Sequence, residues 1–346
     1  MGQGLAGTLL AHQLIAHGYK VLIIDNHREP TLMGSSSKIA AGVINPITGR
    51  RIVKSWRIDA LLPSAKKMYQ DIERQYDIDI YKHYTILRTF KNAHDENEWH
   101  LRSQWVEYQP FCCPEADPSV FGGKIRDFYG FGEISQAAKV DMPVLIQFFR
   151  KKWLSEGVLL ESVFDHNALI MAQNNVVYKN IIAQKIIFCE GANGSKNIFF
   201  NWLPFNLDKG ELLIVKIPNV NFDKIFKNNI SIVPLKEKDH YWVGATNEWN
   251  SENDLPSEDK KALIINELRE ILSIPFEVIK HQAAFRPTVK DRRPLIGFHP
   301  RFPQLAFFNG FGTKGASLVP YWANHLVAVL KGEIDIDKEV NINRFG

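Results

Sequence analysis

A glycine-rich turn at the start of the chain constrains its fold more than any other feature. Residues 2–7 read GQGLAG, the G-x-G-x-x-G spacing that allows a tight turn, close approach of backbone to phosphate, and close packing of helix on strand. Apolar residues at helical spacing follow, and Gly18 is suitably placed to end that helix. The apolar run 21–24 then ends in Asp25, about 20 residues beyond the glycines, where an acid hydrogen-bonds the ribose of an adenine dinucleotide. The pattern predicts a dinucleotide site; the alternative is a glycine-rich loop before an ordinary helix.

The strand that normally precedes such a turn is missing from the sequence, because only Met1 stands before the motif. A buried strand of about five or six residues is expected there. Its loss would remove a central strand of a parallel sheet and leave backbone groups of the neighbouring strands unpaired. We therefore expect Met1 to occupy the last position of this strand and the true start of the chain to lie further upstream.

Composition limits the class of protein. The 346 residues are 45% hydrophobic, which is enough for a large core and for two domains. The net charge of +4 is too small and too evenly spread to indicate nucleic-acid binding by itself. Three cysteines make no disulfide framework, although the adjacent pair Cys112-Cys113 leaves a redox role open. Without a signal peptide or an apolar run of ~20 residues, we expect a cytoplasmic protein with no transmembrane segment, and we predict no metal site.

Hydrophobic periodicity predicts the elements that follow the first strand. Amphipathic helices are expected over 59–79, 141–157, 258–272 and 316–330. Short strands and polar turns are expected over 81–131, a small meander over 158–182, and strands of a mixed or antiparallel sheet over 211–246. The apolar run at 185–189 ends in a glycine turn, as a buried parallel strand does where its carboxyl end meets a ligand.

Two further segments rich in small residues suit a flat or anionic ligand. Residues 34–42 read GSSSKIAAG, so backbone can lie against a ligand while hydroxyls and amides remain free to donate; a flexible linker is the alternative. Residues 309–315 read NGFGTKG and lead from a strand into a helix, which presents bare amides and a positive helix end. A second phosphate and a reduced flavin are both possible ligands of this turn.

Taken in order, these segments resemble the D-amino-acid oxidase family of FAD enzymes, and most of all its glycine oxidase branch. The matching stretches, in the family's order over nearly the whole chain, are GQGLAG with Asp25, SSSKIAAGVINP, IIFCEGANG, KGELL, VGAT, AAFRPTVKDRRPLIG and NGFGTKGASLVP. The resemblance implies an α/β fold (α+β overall) with an inserted antiparallel-sheet substrate domain. The Rossmann-like FAD domain would comprise 1–58, 135–206 and 284–346, and the substrate domain 59–134 and 207–283.

The resemblance also implies the residues of the cofactor site. They are Gly2, Gly4, Leu5, Ala6, Gly7, Asp25, Asn26, Ser36, Ser37, Ala40, Ala41, Gly42, Val163, Gly191, Gly310, Gly312, Thr313, Lys314 and Gly315. Val163 would meet the adenine through its backbone, and residues 312–315 would meet the isoalloxazine. Related sarcosine oxidases attach flavin to a cysteine near the C-terminus, whereas no cysteine follows Cys189 here, so FAD is expected to be non-covalent.

Arg286 matches the family's arginine that binds the substrate carboxylate. A guanidinium offers paired donors to a planar carboxylate and so orients the substrate over the flavin; an ordinary surface arginine is the alternative. The implied reaction is hydride transfer from the α C–H of a neutral amine to flavin N5, with no side-chain base. Ser231 stands where a glycine oxidase has a second carboxylate-binding tyrosine, and Thr313 where it has an arginine. Small amino acids are therefore expected to be poor substrates.

Two other functions are compatible with these motifs. The FAD domain of the bifunctional tRNA wobble-uridine modification enzyme shares them, although its methyltransferase half is absent from this chain. A protein that binds FAD with little activity is the second alternative. The expected partner is a small-molecule amine or amino acid, tRNA is a less favoured partner, and the oligomeric state is not predicted.

Overall fold

The computed structural model describes residues 1–26, 34–49, 51–220 and 222–346. Within these ranges the α-helices are α1 Leu5–Ala16, α2 Ile58–Tyr76, α3 Ala93–Ser103, α4 Met142–Ser155, α5 Glu258–Ile271 and α6 Gly315–Leu330. The strands are β1 Ile23–Asp25, β2 Val43–Ile44, β3 Ile47–Thr48, β4 Val53–Lys54, β5 Tyr81–Phe90, β6 Cys112–Cys113, β7 Gly130–Val140, β8 Leu159–Glu161, β9 Leu169–Met171, β10 Val176–Tyr178, β11 Ile181–Ala183, β12 Ile186–Phe188, β13 Asp208–Lys216, β14 Ile225–Lys227, β15 Ser231–Pro234, β16 His240–Gly244, β17 Glu248–Trp249, β18 Glu277–Arg286, β19 Leu295–Phe298 and β20 Leu305–Asn309. No helix of the described residues combines the length and apolarity needed to cross a bilayer.

The first residues form the predicted turn, helix and strand. Helix α1 begins directly after Gly4, and a Cβ on Gly7 would overlap the carbonyl oxygen of Gly2. The chain leaves the helix through Gly18, whose φ of +82° suits a residue without a side chain. Strand β1 then pairs in parallel with β8, so that Asp25 lies opposite Glu161. The glycine spacing thus serves close packing, as the sequence predicts.

Met1 and Gly2 connect two small groups of strands. The amino group of Met1 donates to the carbonyl oxygen of Ile187 at 2.8 Å, and its carbonyl accepts from the Cys189 amide at 2.8 Å. The Gly2 amide donates to the Ile24 carbonyl at 2.9 Å. Strand β12 pairs in parallel with β20, as predicted for a buried parallel strand, and β20 pairs antiparallel with β19. The glycine turn therefore begins between β1 and β12.

A ten-stranded sheet forms the other large unit of the fold. Its strand order is β17-β13-β16-β15-β14-β5-β7-β2, with β18 beside β13 and β6 beside β7. All its pairings are antiparallel except that of β14 with β5. One face packs on α5, where Leu213 and Val243 join Ile264 and Leu268 in one buried cluster. The opposite face turns towards α1 and α6.

Two sequence predictions about secondary structure are wrong. Residues 81–131 are not a series of short strands and turns: β5 and β7 are long paired strands, and α3 lies between them. Helix α3 buries only Trp99 and Ser103, so its sequence carries little apolar periodicity. The segment beginning at Val158 is not part of the meander, which consists of β9 to β11; β8 instead joins β1. That partner is over 100 residues away in sequence, and local pattern cannot reveal such pairing.

The helices predicted from periodicity are confirmed within a few residues at each end. The Asp141 side chain accepts a hydrogen bond from the Val144 amide at 3.3 Å, so it is the predicted N-cap of α4. The three cysteines are free thiols, and burial raises the pKa of Cys112 and of Cys189 to about 12. These two thiols are therefore protonated at neutral pH and poorly nucleophilic, which agrees with an inert role.

Candidate functional site

A cleft of two adjoining cavities lies between the glycine turn and the ten-stranded sheet. The first cavity has a volume of about 370 Å³ and follows the N-terminus of α1. The second, of about 270 Å³, covers the sheet face opposite α5. Residues that line both are Leu5, Ser36, Ser37, Gly312 and Gly315. The cleft therefore runs from Asp25 at one end to Arg286 at the other.

Most of the predicted cofactor residues line this cleft. The first cavity is lined by Gly2, Gly4, Leu5, Ala6, Asp25, Asn26, Ser36, Ser37, Val163, Gly191, Gly312 and Gly315, and the second also by Ala40, Ala41, Gly42 and Thr313. Gly7 and Gly310 line neither cavity: the first packs on Gly2, and a Cβ on the second would lie 2.8 Å from Val289. The ammonium of Lys314 points elsewhere, to Thr48 Oγ1 at 3.3 Å and Ser55 Oγ at 3.2 Å.

The N-terminus of α1 meets the first cavity without a capping side chain. Gly4 is the N-cap, and the first turn contains no acidic residue. The Leu5 amide donates to Ser37 Oγ at 3.2 Å, and a Cβ on Gly4 would lie 3.2 Å from Ser35 Oγ, so the serine segment closes tightly over the turn. Backbone N–H groups and the positive end of the helix dipole therefore face the cavity, which is the arrangement that binds a pyrophosphate.

A second helix meets the middle of the cleft in the same way. Helix α6 begins at Gly315, has no side-chain cap, and has no acidic residue in its first turn. Gly312 and Gly315 line both cavities at this point. Burial, followed by the charges of Arg292 and Arg293, lowers the pKa of the neighbouring Lys314. The positive helix end favours negative charge on a ligand near the junction of the cavities, whereas the Lys314 ammonium is directed to Thr48 and Ser55.

Asp25 is held in place by a buried arginine that sequence analysis missed. Its Oδ1 accepts from the Gln3 amide at 2.8 Å, and its Oδ2 pairs with Arg150 at 2.9 Å. Arg150, whose side chain is 9% exposed, also pairs with Glu161 and donates to Gln3 Oε1 at 2.8 Å. Carboxylate oxygens accept more than one hydrogen bond each, so Asp25 keeps acceptor capacity towards the cavity. Nothing near Asp25 in the sequence indicates this partner, which comes from α4.

The first cavity contains further polar groups that motif reasoning missed. His166 Nε2 lies 2.8 Å from Glu190 Oε1, and Asn197 Nδ2 donates to Glu190 Oε2 at 2.7 Å. The Asn309 amide donates to the Gly191 carbonyl at 3.0 Å and so ties the turn after β12 to the end of β20. In the sequence, the glycine turn that directly follows Glu190 was the one feature that could have indicated these polar groups.

Arg286 lines the second cavity and is held against the sheet. Its Nη1 pairs with buried Asp208 at 2.5 Å and donates to Asn247 Oδ1 at 2.7 Å, and both terminal nitrogens donate to the Thr246 carbonyl at 3.1 Å. A Cβ on Gly210 would collide with the guanidinium, so glycine there lets the guanidinium lie across β13. A guanidinium has five N–H groups, and these three acceptors leave donors for a carboxylate in the cavity.

Trp242 connects the sheet to residues 34–42, the segment rich in small residues that forms the opposite wall of the second cavity. Its indole N–H donates to the Ile39 carbonyl at 2.8 Å. Ser231 and Thr313, which the sequence comparison predicts to stand in place of larger glycine oxidase side chains, both line the second cavity. The cavity is therefore bounded by backbone and small side chains on one wall and by the sheet on the other.

The cleft has glycine turns at one end and an arginine-bearing sheet at the other. This arrangement is typical of a protein that holds a dinucleotide cofactor against a second ligand. The chain belongs to the FAD-dependent oxidoreductase (DAO) family, whose model matches residues 1–329. It is therefore an FAD-dependent oxidoreductase, as the sequence predicts. The bare helix ends, Asp25 and the close-packed glycines fit this cofactor.

Solved structures with the same fold come from several bacteria. Iminodiacetate oxidase from Chelativorans sp. BNC1 superposes with a TM-score of 0.80 at 19% identity, over 98% of this chain and 97% of that one. Glycine oxidase from Bacillus cereus superposes with a TM-score of 0.79 at 19% identity, over 96% and 94% of the two chains. Glycine oxidase from Geobacillus kaustophilus also reaches 0.79, at 18% identity, over 97% and 94%. These similarities confirm the predicted fold class.

We expect Arg150→Met to weaken FAD binding by roughly tenfold, a loss of ~1.4 kcal/mol. The substitution leaves the Asp25 and Glu161 carboxylates opposite one another without the cation between them, and like charges facing each other across strands destabilise the pair. Titration of apoprotein with FAD measures the effect. Lys152→Met on the same helix is the control, since Lys152 pairs with the largely exposed Glu156 and should change little. Equal FAD affinities in the two variants would contradict this role of Arg150.

Proposed function

We propose that the protein oxidises the C–N bond of an amino acid or another carboxylate-bearing amine. The observation that carries the proposal is the position of Arg286, whose guanidinium lies over Gly210 in the cavity that adjoins the glycine turns. Asp208 holds that guanidinium from the protein side and leaves donors for a carboxylate. The named activities of the similar structures, oxidation of glycine and of iminodiacetate, also concern amines that carry a carboxylate.

FAD, when bound without a covalent link, supplies the hydride acceptor. The chain's own residues bind and orient the two molecules. We assign the pyrophosphate to the bare end of α1, the ribose to Asp25, the adenine to the backbone of Val163, and the isoalloxazine to residues 312–315 at the start of α6. Arg286 binds the substrate carboxylate and thereby directs the adjacent carbon towards the junction of the cavities. We propose that the FAD domain comprises 1–58, 135–206 and 284–346, so that Arg286 would stand at the start of its last segment, beside the substrate sheet.

Within the part of the chain that the structure describes, the second cavity offers no carboxylate or imidazole to act as a general base. Among the described residues that line it, the charged ones are Arg286 and Lys227, both cations, and neither a carboxylate nor an imidazole is present. Two cations disfavour a protonated amine nearby. The substrate amine is therefore expected to react in its neutral form, with its proton lost before the C–H bond breaks.

Anaerobic mixing of the FAD-loaded protein with a panel of amines tests the proposal. The panel pairs each carboxylate-bearing amine with its analogue that lacks the carboxylate, for example glycine with methylamine and N-methylglycine with dimethylamine, and extends to larger amino acids and iminodiacetate. We expect at least one carboxylate-bearing amine to bleach the flavin absorbance while its matched amine does not. Equal bleaching by both members of a pair would contradict carboxylate recognition. No bleaching by the whole panel would favour an FAD-binding protein with little activity.

A further inference from the structure

A second cation, Lys227, lies in the same cavity as Arg286 and has no role in the reaction proposed above. Lys227 ends β14 and lies opposite Ser231 of β15, which in turn lies opposite Gly244 of β16. Gly244 lies opposite Leu212 of β13. Residues directly opposite one another on neighbouring strands point to the same face of a sheet, so the Lys227 side chain shares the cavity face.

The floor of the cavity between the two cations is built from small residues. Ser231, Gly244, Gly210 and Ala284 all line it. A Cβ on Gly244 would lie 3.1 Å from the Leu212 Cβ, so a larger residue there would crowd the floor. Three strand spacings of ~4.8 Å separate Lys227 from the strand over which the guanidinium lies, roughly 14 Å between backbones. Because the guanidinium lies over Gly210 of β13 and the ammonium is held by the Asn229 carbonyl beside β14, an extended ligand can lie between them.

Lys227 has no acidic partner within the described parts of the chain. Its ammonium donates one hydrogen bond, to the carbonyl oxygen of Asn229 at 3.3 Å. Burial, followed by the charge of Arg88 on the adjacent strand, lowers the pKa of Lys227 to about 8, whereas Glu267 of α5 raises it slightly. Lys227 is half-buried and its ammonium has no counter-ion among the described residues, so an anion brought by a ligand would gain a charge-assisted partner there.

We infer that the substrate carries two anionic groups: a carboxylate bound by Arg286 and a second carboxylate, several bonds away, bound by Lys227. This inference rests on the proposed function, because it extends the same substrate along the same cavity. The substrate class is then an amine with two carboxylates, such as an amino dicarboxylic acid or an amino acid whose nitrogen carries a carboxyalkyl group. The extent of the cavity and the two cations at its ends both favour this class over glycine.

Ligand binding to the FAD-loaded protein tests the inference without turnover. It is measured through the change that the bound ligand causes in the flavin absorbance. The probes are oxydiacetate and glutarate, which have equal chain length, and the longer adipate and pimelate, each paired with the monocarboxylate of equal chain length. We expect one dicarboxylate to bind roughly tenfold or more tightly than its matched monocarboxylate, as a charge-assisted hydrogen bond allows. Lys227→Met should remove that preference, and Lys227→Arg should retain most of it.

Lys91→Met is the matched control. Lys91 contacts the same hairpin, with its ammonium donating to Asn229 Oδ1 at 3.0 Å, but it does not line the cavity. Its loss should leave the dicarboxylate preference unchanged. FAD content and thermal unfolding of each variant establish that it is folded before binding is compared.

The pH profile provides an independent readout of Lys227. The binding form is the ammonium, so the preference should be present below pH about 8 and should decline above it by up to tenfold per pH unit. The charged groups that face Lys227 are Arg88 of β5 and Glu267 of α5, and a guanidinium at position 227 stays protonated over this pH range. Lys227→Arg should therefore keep its preference to pH 10.

The possible outcomes separate this inference from the proposed function. In one outcome, monocarboxylates bind, Arg286→Met abolishes their binding, and no dicarboxylate is preferred. The inference of a second carboxylate on the substrate is then wrong, and the proposed function stands. If no probe perturbs the flavin, or Arg286→Met leaves binding unchanged, both are wrong. A preference that persists in Lys227→Met would assign the second anion to another residue and overturn the role of Lys227.

Discussion

Arg286→Met is expected to lower kcat/KM for the amine substrate by about a thousandfold while FAD stays bound. The lost free energy is ~4 kcal/mol, the sum of two charge-assisted hydrogen bonds to the substrate carboxylate. Because the carboxylate also orients the reacting carbon, part of the loss should appear in the rate of flavin reduction and part in substrate affinity. Stopped-flow reduction under anaerobic conditions separates the two.

Loss of Arg286 also affects the fold, because Asp208 would remain buried without its cation. The Asp208 side chain is 4% exposed, and breaking a buried pair by removing one partner costs ~3–5 kcal/mol of stability. The double variant Arg286→Met/Asp208→Asn should recover much of that stability without recovering activity. Arg286→Lys keeps the charge but not the planar fork, and should be intermediate in activity. A folded, FAD-loaded Arg286→Met protein within tenfold of wild-type kcat/KM would rule out the carboxylate role.

Gly7→Ala is expected to weaken FAD binding by about a hundredfold or more, ~2.7 kcal/mol, so that the protein is purified largely without flavin. The added Cβ would overlap the carbonyl oxygen of Gly2. Gly2 cannot easily move away, because its amide donates to the Ile24 carbonyl and the neighbouring Met1 carbonyl accepts from the Cys189 amide. Helix α1 would have to move away from the turn and take its N-terminal amides with it. The ratio of flavin to protein absorbance, and titration of the apoprotein with FAD, measure the effect.

Gly18→Ala is the matched control at the other end of α1. No atom lies within 4 Å of a Cβ there, so the substitution costs only the strain of a left-handed residue, about 1 kcal/mol of stability, and leaves FAD binding unchanged. FAD affinities within threefold of each other in the two variants would mean that the glycine turn is not tightly packed against the cofactor helix.

The part of the site that sequence reasoning found is the part encoded in contiguous residues. The GQGLAG turn with Asp25, the segment 34–42 and the turn 309–315 each combine small residues with a helix or strand boundary, and such combinations are visible without the fold. Arg286 was found through the ordered series of motifs in which it stands. The main helices were found because their buried faces repeat at the helical period, whereas α3, which buries little, was missed.

The tertiary structure decided which side chains support those motifs. Asp208 meets Arg286 only because β13 and β18 pair in one register, and Arg150 meets Asp25 across 125 residues of sequence. The structure also turns the Lys314 ammonium towards Thr48 and Ser55, and it brings Lys227 into the cavity of Arg286. Strand order and register set these contacts, and both depend on packing between distant segments. The sequence by itself thus determined the family and the cofactor and predicted Arg286 as the carboxylate-binding residue, whereas only the folded chain decided the partners of these residues and the charge of the second cavity.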